Sequence, residues 1–161
     1  MKAGVIGALA FVFLVLAICS SVDLGFTGWH ISQDVDGWKS RAQVSMEPAD
    51  MAAYMTNVRN GMEKWGLTSG NAALIFPTPE TDMSLIYRAV NQHIATAESL
   101  TSLNRSTDAY ANGLDNLRGG IRELDLHAWQ DWVNHEGLLL NILCWTCWIL
   151  FVVFIVWLSF E

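Results

Sequence analysis

Two long apolar runs frame the chain, and the stretch between them places apolar residues at helical spacing among polar ones. From Ala3 to Val22 about 20 consecutive residues carry no charge, the length that a helix rising about 1.5 Å per residue needs to cross a hydrocarbon core. Lys2 precedes this run and Asp23 ends it. The second run, Leu138 to Phe160, has only Asn141, Thr146 and Ser159 as clearly polar members and meets no charge before Glu161. Each run predicts a transmembrane helix.

A cleaved signal peptide is the rival reading of the first run, because a basic residue before an apolar stretch and small residues after it suit both. The run is longer than the 7 to 15 or so residues of a signal core, which favours an uncleaved anchor. Leu16-Ala17-Ile18-Cys19 resembles a lipoprotein cleavage box only loosely, since isoleucine stands where a small residue is needed. Lipidation at Cys19 is therefore not expected.

In the middle, Glu47-Pro48-Ala49-Asp50 reads as a helix start, with proline at the first helical position and acids where the helix dipole is positive. Ala52, Met55, Val58, Met62 and Trp65 follow at spacings of three and four, and Gly66 is the expected stop. Residues 67–79 hold glycine, asparagine and two prolines, so they form a connection. Thr78-Pro79-Glu80 repeats the start signature, and Ile86, Val90, His93, Ala97, Leu100 and Leu103 line one face behind it. After a turn at Asn104 to Thr107, Tyr110, Leu114, Leu117, Ile121, Leu124 and Ala128 continue the same alternation. Two stripes joined by a short turn predict an antiparallel helical hairpin. Gly119-Gly120 marks a bend or a close helix contact within the second stripe. No proline lies between Ile121 and Phe160, so the last domain helix is expected to continue into the membrane as one rod.

The expectation is an all-α membrane protein in which two transmembrane helices flank an extracytoplasmic helical hairpin or small helical bundle. Its parts are an N-terminal transmembrane helix (1–22), an acidic helical domain (23–136) and a C-terminal transmembrane helix (137–161). Lys2 and the amino terminus mark the first end as cytoplasmic, and two spans return the second end to that side. With so few residues after Val156, no second domain is expected there.

Composition sharpens this picture. Of 161 residues, 52% are hydrophobic and 16% charged, and the charges concentrate between Asp23 and Glu136. The net charge of -7 disfavours nucleic acid and anionic headgroups as partners, because both are anionic, and leaves cationic partners and metal ions open. All three cysteines fall in the apolar runs, so no disulfide framework stabilises the middle domain.

Candidate chemistry is sparse. His127, Asp131 and His135 recur every four residues, which places them along one side of a helix, and His30 follows the first span closely. Imidazole and carboxylate are ligands for zinc, copper or iron, so these four form the candidate metal or haem set. The plainer reading is a solvated polar collar beside the interfacial rings of Trp129 and Trp132, with Trp29, Trp38 and Trp157 as further anchors. No cofactor is required by the sequence. Cys144 and Cys147 share one face of an apolar helix, where a thiol behaves as a small packing residue, and Cys19 could approach Cys144 if the spans are antiparallel. Gly4 and Gly7, beside Ala8, and the in-membrane Asn141 mark further helix-packing positions. Asn104-Arg105-Ser106 matches an N-glycosylation acceptor. No phosphate loop, nucleophile elbow or HExxH pair is present.

These features rank a non-catalytic accessory or structural subunit first. Its two spans would pack against other integral membrane subunits and lipid, while its domain covers their outer face. An extracytoplasmic sensor or ligand-binding module acting through partner helices is the second reading, and a metal or haem subunit of a membrane oxidoreductase the third.

Overall fold

In a computed structural model the described residues, 2–73 and 75–160, are helical without strands. Met1, Leu74 and Glu161 lie outside them, and with Glu161 the charge expected to close the second span. Nine helical pieces follow in order among the described residues: α1 (Lys2–Ile31), a π-helical turn (Ser32–Asp36), α2 (Gly37–Val44), α3 (Pro48–Lys64), a 3-10 turn (Pro79–Thr81), α4 (Met83–Thr101), α5 (Asp108–Glu123), α6 (Ala128–Asn134) and α7 (Leu138–Leu158). The chain divides into two compact units, one made of Met1–Trp29 with Gly137–Glu161 and the other of His30–Glu136.

The first unit pairs the two apolar helices. Two helical stretches are long and apolar enough to cross a membrane, one within Gly4–Val44 and the other Leu138–Leu158. They run antiparallel, because Phe13 stacks on Phe154 at 5.7 Å while Ser21 meets Cys144 at 3.3 Å and accepts the Trp148 indole N–H at 3.1 Å. Ile6, Ala10 and Ala17 on one helix and Cys144 and Cys147 on the other are buried, at intervals of three, four and seven that repeat a packing face. Large apolar side chains such as Phe11, Val15, Leu143 and Ile149 point outward, as lipid-facing positions require. Gly4 and Gly7 do not join the packing face: an added Cβ at either would touch nothing within the chain.

The second unit is a bundle built on α3 and α4. Helix α3 begins with Pro48 in its first turn and ends at Lys64, with Trp65 as its C-cap. Its stop is a Schellman motif: Gly66 takes φ +75°, its N–H reaches the Glu63 carbonyl, and the Leu67 N–H donates to Met62 O at 2.8 Å. Met62 and Leu67 are both fully buried, which supplies the apolar contact that accompanies this cap. Along α3 the buried side chains are Pro48, Met51, Ala52, Met55, Val58 and Met62; along α4 they are Met83, Ile86, Val90, Ile94, Ala97 and Leu100. Those two faces meet each other, and α2, α5 and the π-helical turn complete the core. A methionine-rich interior suits such packing, because the unbranched side chain fills irregular gaps.

Several boundaries differ from the sequence expectation. Thr78-Pro79-Glu80 forms a separate 3-10 turn with its own capping box, and α4 starts only after Asp82, whose carboxylate accepts from the Ser84 N–H at 2.9 Å. Helix α1 continues past Asp23 to Ile31. Gly119-Gly120 does not interrupt α5; a Cβ at Gly120 would lie 2.6 Å from His93 Cε1, so the glycine permits a close α4 contact. The single rod into the membrane is not formed, because the chain leaves helical geometry after Glu123 and again after Asn134. Leu124 and Leu126 are both buried, and the Leu126 N–H donates to the Leu124 carbonyl at 3.0 Å, a three-residue turn that replaces the helical pattern.

Candidate functional site

The break between α5 and α6 holds His127 and Asp131, two of the four residues of the candidate ligand set. A helix end exposes carbonyls and a helix start exposes N–H groups, and each needs a partner. Lys39 of α2 donates to the Leu124 carbonyl and, at 3.4 Å, to that of Leu126. On the other side of the break, Asp131 Oδ2 accepts the His127 N–H at 3.0 Å and Asp36 Oδ1 accepts the Ala128 N–H at 3.4 Å. His127 Nδ1 lies 3.1 Å from Asp125 Oδ1. Two aspartates and one lysine thus answer the loose backbone groups of the kink, and Asp125 pairs with the His127 ring.

Burial is the chief reason that Asp131 takes up a proton more readily than an ordinary aspartate, and the nearby carboxylates of Asp125 and Asp36 act the same way. The His127 N–H and the His127 ring oppose it. Beside this knot, Ser32, Asp36, His127, Trp129 and Gln130 line an open recess of about 230 Å³. Trp129 stacks on Trp132 at 5.7 Å, and Trp132 meets the edge of Trp65 at 6.4 Å, so these indoles pack within the bundle.

The structure separates the proposed ligand set. His127 and Asp131 meet, but through a backbone N–H, and His127 and His135 flank α6 instead of lying within it. His135 packs against Gly70, where φ is +85°, and its Nδ1 is 3.2 Å from Glu136 Oε1. His30 lies within electrostatic range of Asp34. Among the described residues, no three His, Cys, Asp or Glu side chains converge as a metal site.

A second polar focus was not anticipated. The π-helical turn presents Asp34, whose Oδ2 accepts from Lys64 Nζ at 2.6 Å and from the Trp65 indole at 2.9 Å. Gly61 lies directly beneath the Asp34 carbonyl, where any Cβ would overlap it, so α3 approaches the turn to backbone contact. A recess of about 200 Å³ opens there between Asp34, Trp38, Asn57, Asn60, Gly61 and Lys64. Tyr54 stacks on Trp38 and Arg41 lies 4.4 Å over the same ring.

The remaining candidates are placed as follows. Cys19, Cys144 and Cys147 are free thiols, Cys19 is exposed, and Ser21 stands where Cys19 was expected to face Cys144. Asn141 is half-buried at the start of α7. Asn104 is exposed in the α4–α5 turn, with its Oδ1 accepting from Ser106 N at 3.0 Å and Ser106 Oγ at 2.9 Å. The chain matches no known protein family, no curated protein and no solved structure.

Proposed function

We propose that the protein is a non-catalytic accessory subunit of a larger integral membrane complex, with both termini cytoplasmic and the helical bundle covering the outer face of its partners. One observation carries this reading. Gly4, Gly7 and Gly25 of α1 lie where an added Cβ would touch nothing in the chain. Glycine costs about 1 kcal/mol relative to alanine inside a helix, and it offers lipid no side chain. Small residues on an uncovered membrane face are what close approach by another helix uses.

Supporting features point the same way. The Lys39, Asp36 and Asp131 contacts are directed at backbone groups of the α5–α6 break, which makes this charge cluster architectural. The three readings part cleanly in one preparation. Isolation from native membranes in mild detergent is expected to recover stoichiometric larger membrane proteins with the chain. Substituting Gly4 and Gly7 by leucine is expected to release those partners while leaving the bundle folded. A monodisperse chain without partners would overturn the proposal.

A further inference from the structure

Of the nine asparagines in the chain, Asn104 alone is followed at the second position by serine or threonine, and the residue between, Arg105, is not the proline that would block the pattern. The acceptor triplet is therefore single, and the structure puts it at the tip of the α4–α5 hairpin. Every residue from Thr101 to Ala109 is exposed, so a large group attached there displaces no packed side chain. The rest of the domain offers no second triplet to compete with it.

The turn also prepares the amide. Asn104 Oδ1 accepts from the Ser106 N–H at 3.0 Å and from the Ser106 hydroxyl at 2.9 Å, while the Thr107 N–H donates to Asn104 O at 3.1 Å. These bonds span only two or three residues, so the turn forms from local sequence before the bundle has packed. Among the described residues none accepts from Asn104 Nδ2, which leaves that nitrogen open. A carboxamide nitrogen is a weak nucleophile, because its lone pair is delocalised into the carbonyl. Two donors on Oδ1 stabilise negative charge on that oxygen, which eases loss of a proton from Nδ2 and makes the nitrogen more reactive.

We infer that Asn104 carries an N-linked oligosaccharide, transferred from a polyprenyl-phosphate donor by a membrane-bound transferase. In the transfer, Asn104 Nδ2 forms a bond to the anomeric carbon of the first sugar, and the bond from that carbon to the donor's phosphate oxygen breaks. The polyprenyl phosphate leaves with the bonding pair, and the proton from Nδ2 passes to a base of the transferase. The inference rests on the outward placement of the bundle proposed above, because the donor presents its sugar on that side. A bulky, solvated glycan at the hairpin tip keeps this end of the bundle clear of partner subunits.

The test isolates the full chain from its own cells and measures the mass of the intact protein and of the peptide that contains Asn104. The expected mass exceeds that of the polypeptide by one oligosaccharide, carried on Asn104. Asn104→Gln and Ser106→Ala should each abolish the increment, and Ser106→Thr should keep it. A second arm reads the side of the membrane: Ser102→Cys, exposed in the same turn, is placed in the Asn104→Gln chain, and intact cells are treated with a membrane-impermeant maleimide, with the Asn104→Gln chain as the blank. Labelling from outside together with an unmodified Asn104 would overturn the inference and leave the outward placement standing. Labelling only after lysis would overturn that placement and this inference with it. An increment that survives Asn104→Gln would put the modification on another residue and overturn the assignment.

Discussion

The two units are held together by opposite means. In the bundle, Met51, Met55, Val58, Met62, Met83 and Val90 are fully buried against one another, and polar side chains sit at helix ends and turns. In the membrane pair few side chains are buried by the chain itself, and the distinctive contacts are polar, from Ser21 to Cys144 and Trp148. Water drives the first kind of packing, because apolar burial is favourable there. Lipid supplies no such drive, so helix pairs in a bilayer rest on van der Waals fit and a few hydrogen bonds. The bundle should therefore fail cooperatively when its core is cut, whereas the spans should stay inserted and only loosen.

The largest effect is expected from Met62→Ala, which leaves a cavity beneath the α3 cap. Such truncations cost about 2 to 5 kcal/mol. Thermal unfolding of the bundle in mild detergent should shift down strongly, while lipid exposure at Val152 stays constant. A simultaneous change at Val152 would break the contrast between the units.

Lys39→Met comes next. It keeps most of the apolar stem but removes the donor to the Leu124 and Leu126 carbonyls and the cation near Asp36, Asp125 and Asp131. The Leu124 carbonyl keeps the Leu126 N–H but that of Leu126 loses Lys39, and an acceptor left without a partner costs about 1 to 3 kcal/mol. Amide exchange should quicken from residue 121 to 131 first, and a uniform change across the bundle would contradict a local knot.

A smaller effect is tied to pH. Burial between α4 and α5 holds the His93 imidazole below its ordinary value of 6.5. The unfolded chain then binds a proton that the folded one resists. Stability is present above the unfolded value and is lost as pH falls through it toward the folded one. Bundle stability should decline as pH falls below about 6.5, and His93→Gln should reduce that slope. An unchanged slope in the variant would place the proton elsewhere.

Ser21→Ala should have the smallest effect. Hydrogen bonds between membrane helices average about 0.6 kcal/mol, so the spans should remain paired, with slightly faster alkylation of Cys144. A collapse of the bundle after this change would show that the units are not held independently.

The stripes on α3, α4 and α5 were legible because each repeats at helical period, and Gly66 announced its cap through a conformation that glycine favours. Helix α2 was hidden. Its one buried residue, Ala42, continues a face begun by Ile31 of α1 and Val35 of the polar Ser32–Asp36 turn, so no start signal separates it from the apolar run. The α5–α6 break was hidden too, since no glycine or proline marks it. Its cause is tertiary: Leu124 and Leu126 both enter the core, and Lys39 and Asp36, some 85 to 92 residues earlier, take the backbone groups that the break exposes. Such pairings have no local pattern. His135 departs from the even spacing of His127 and Asp131 for a separate reason, because α6 ends at Asn134 and the His135 backbone is no longer helical.

Affinity isolation of the native chain from its own membranes in mild detergent, with identification and stoichiometry of every copurifying protein, tests the central claim most directly. The account predicts larger integral membrane subunits at fixed ratio, released when Gly4 and Gly7 are replaced by leucine. A chain recovered alone, or partners retained unchanged by that variant, would contradict it.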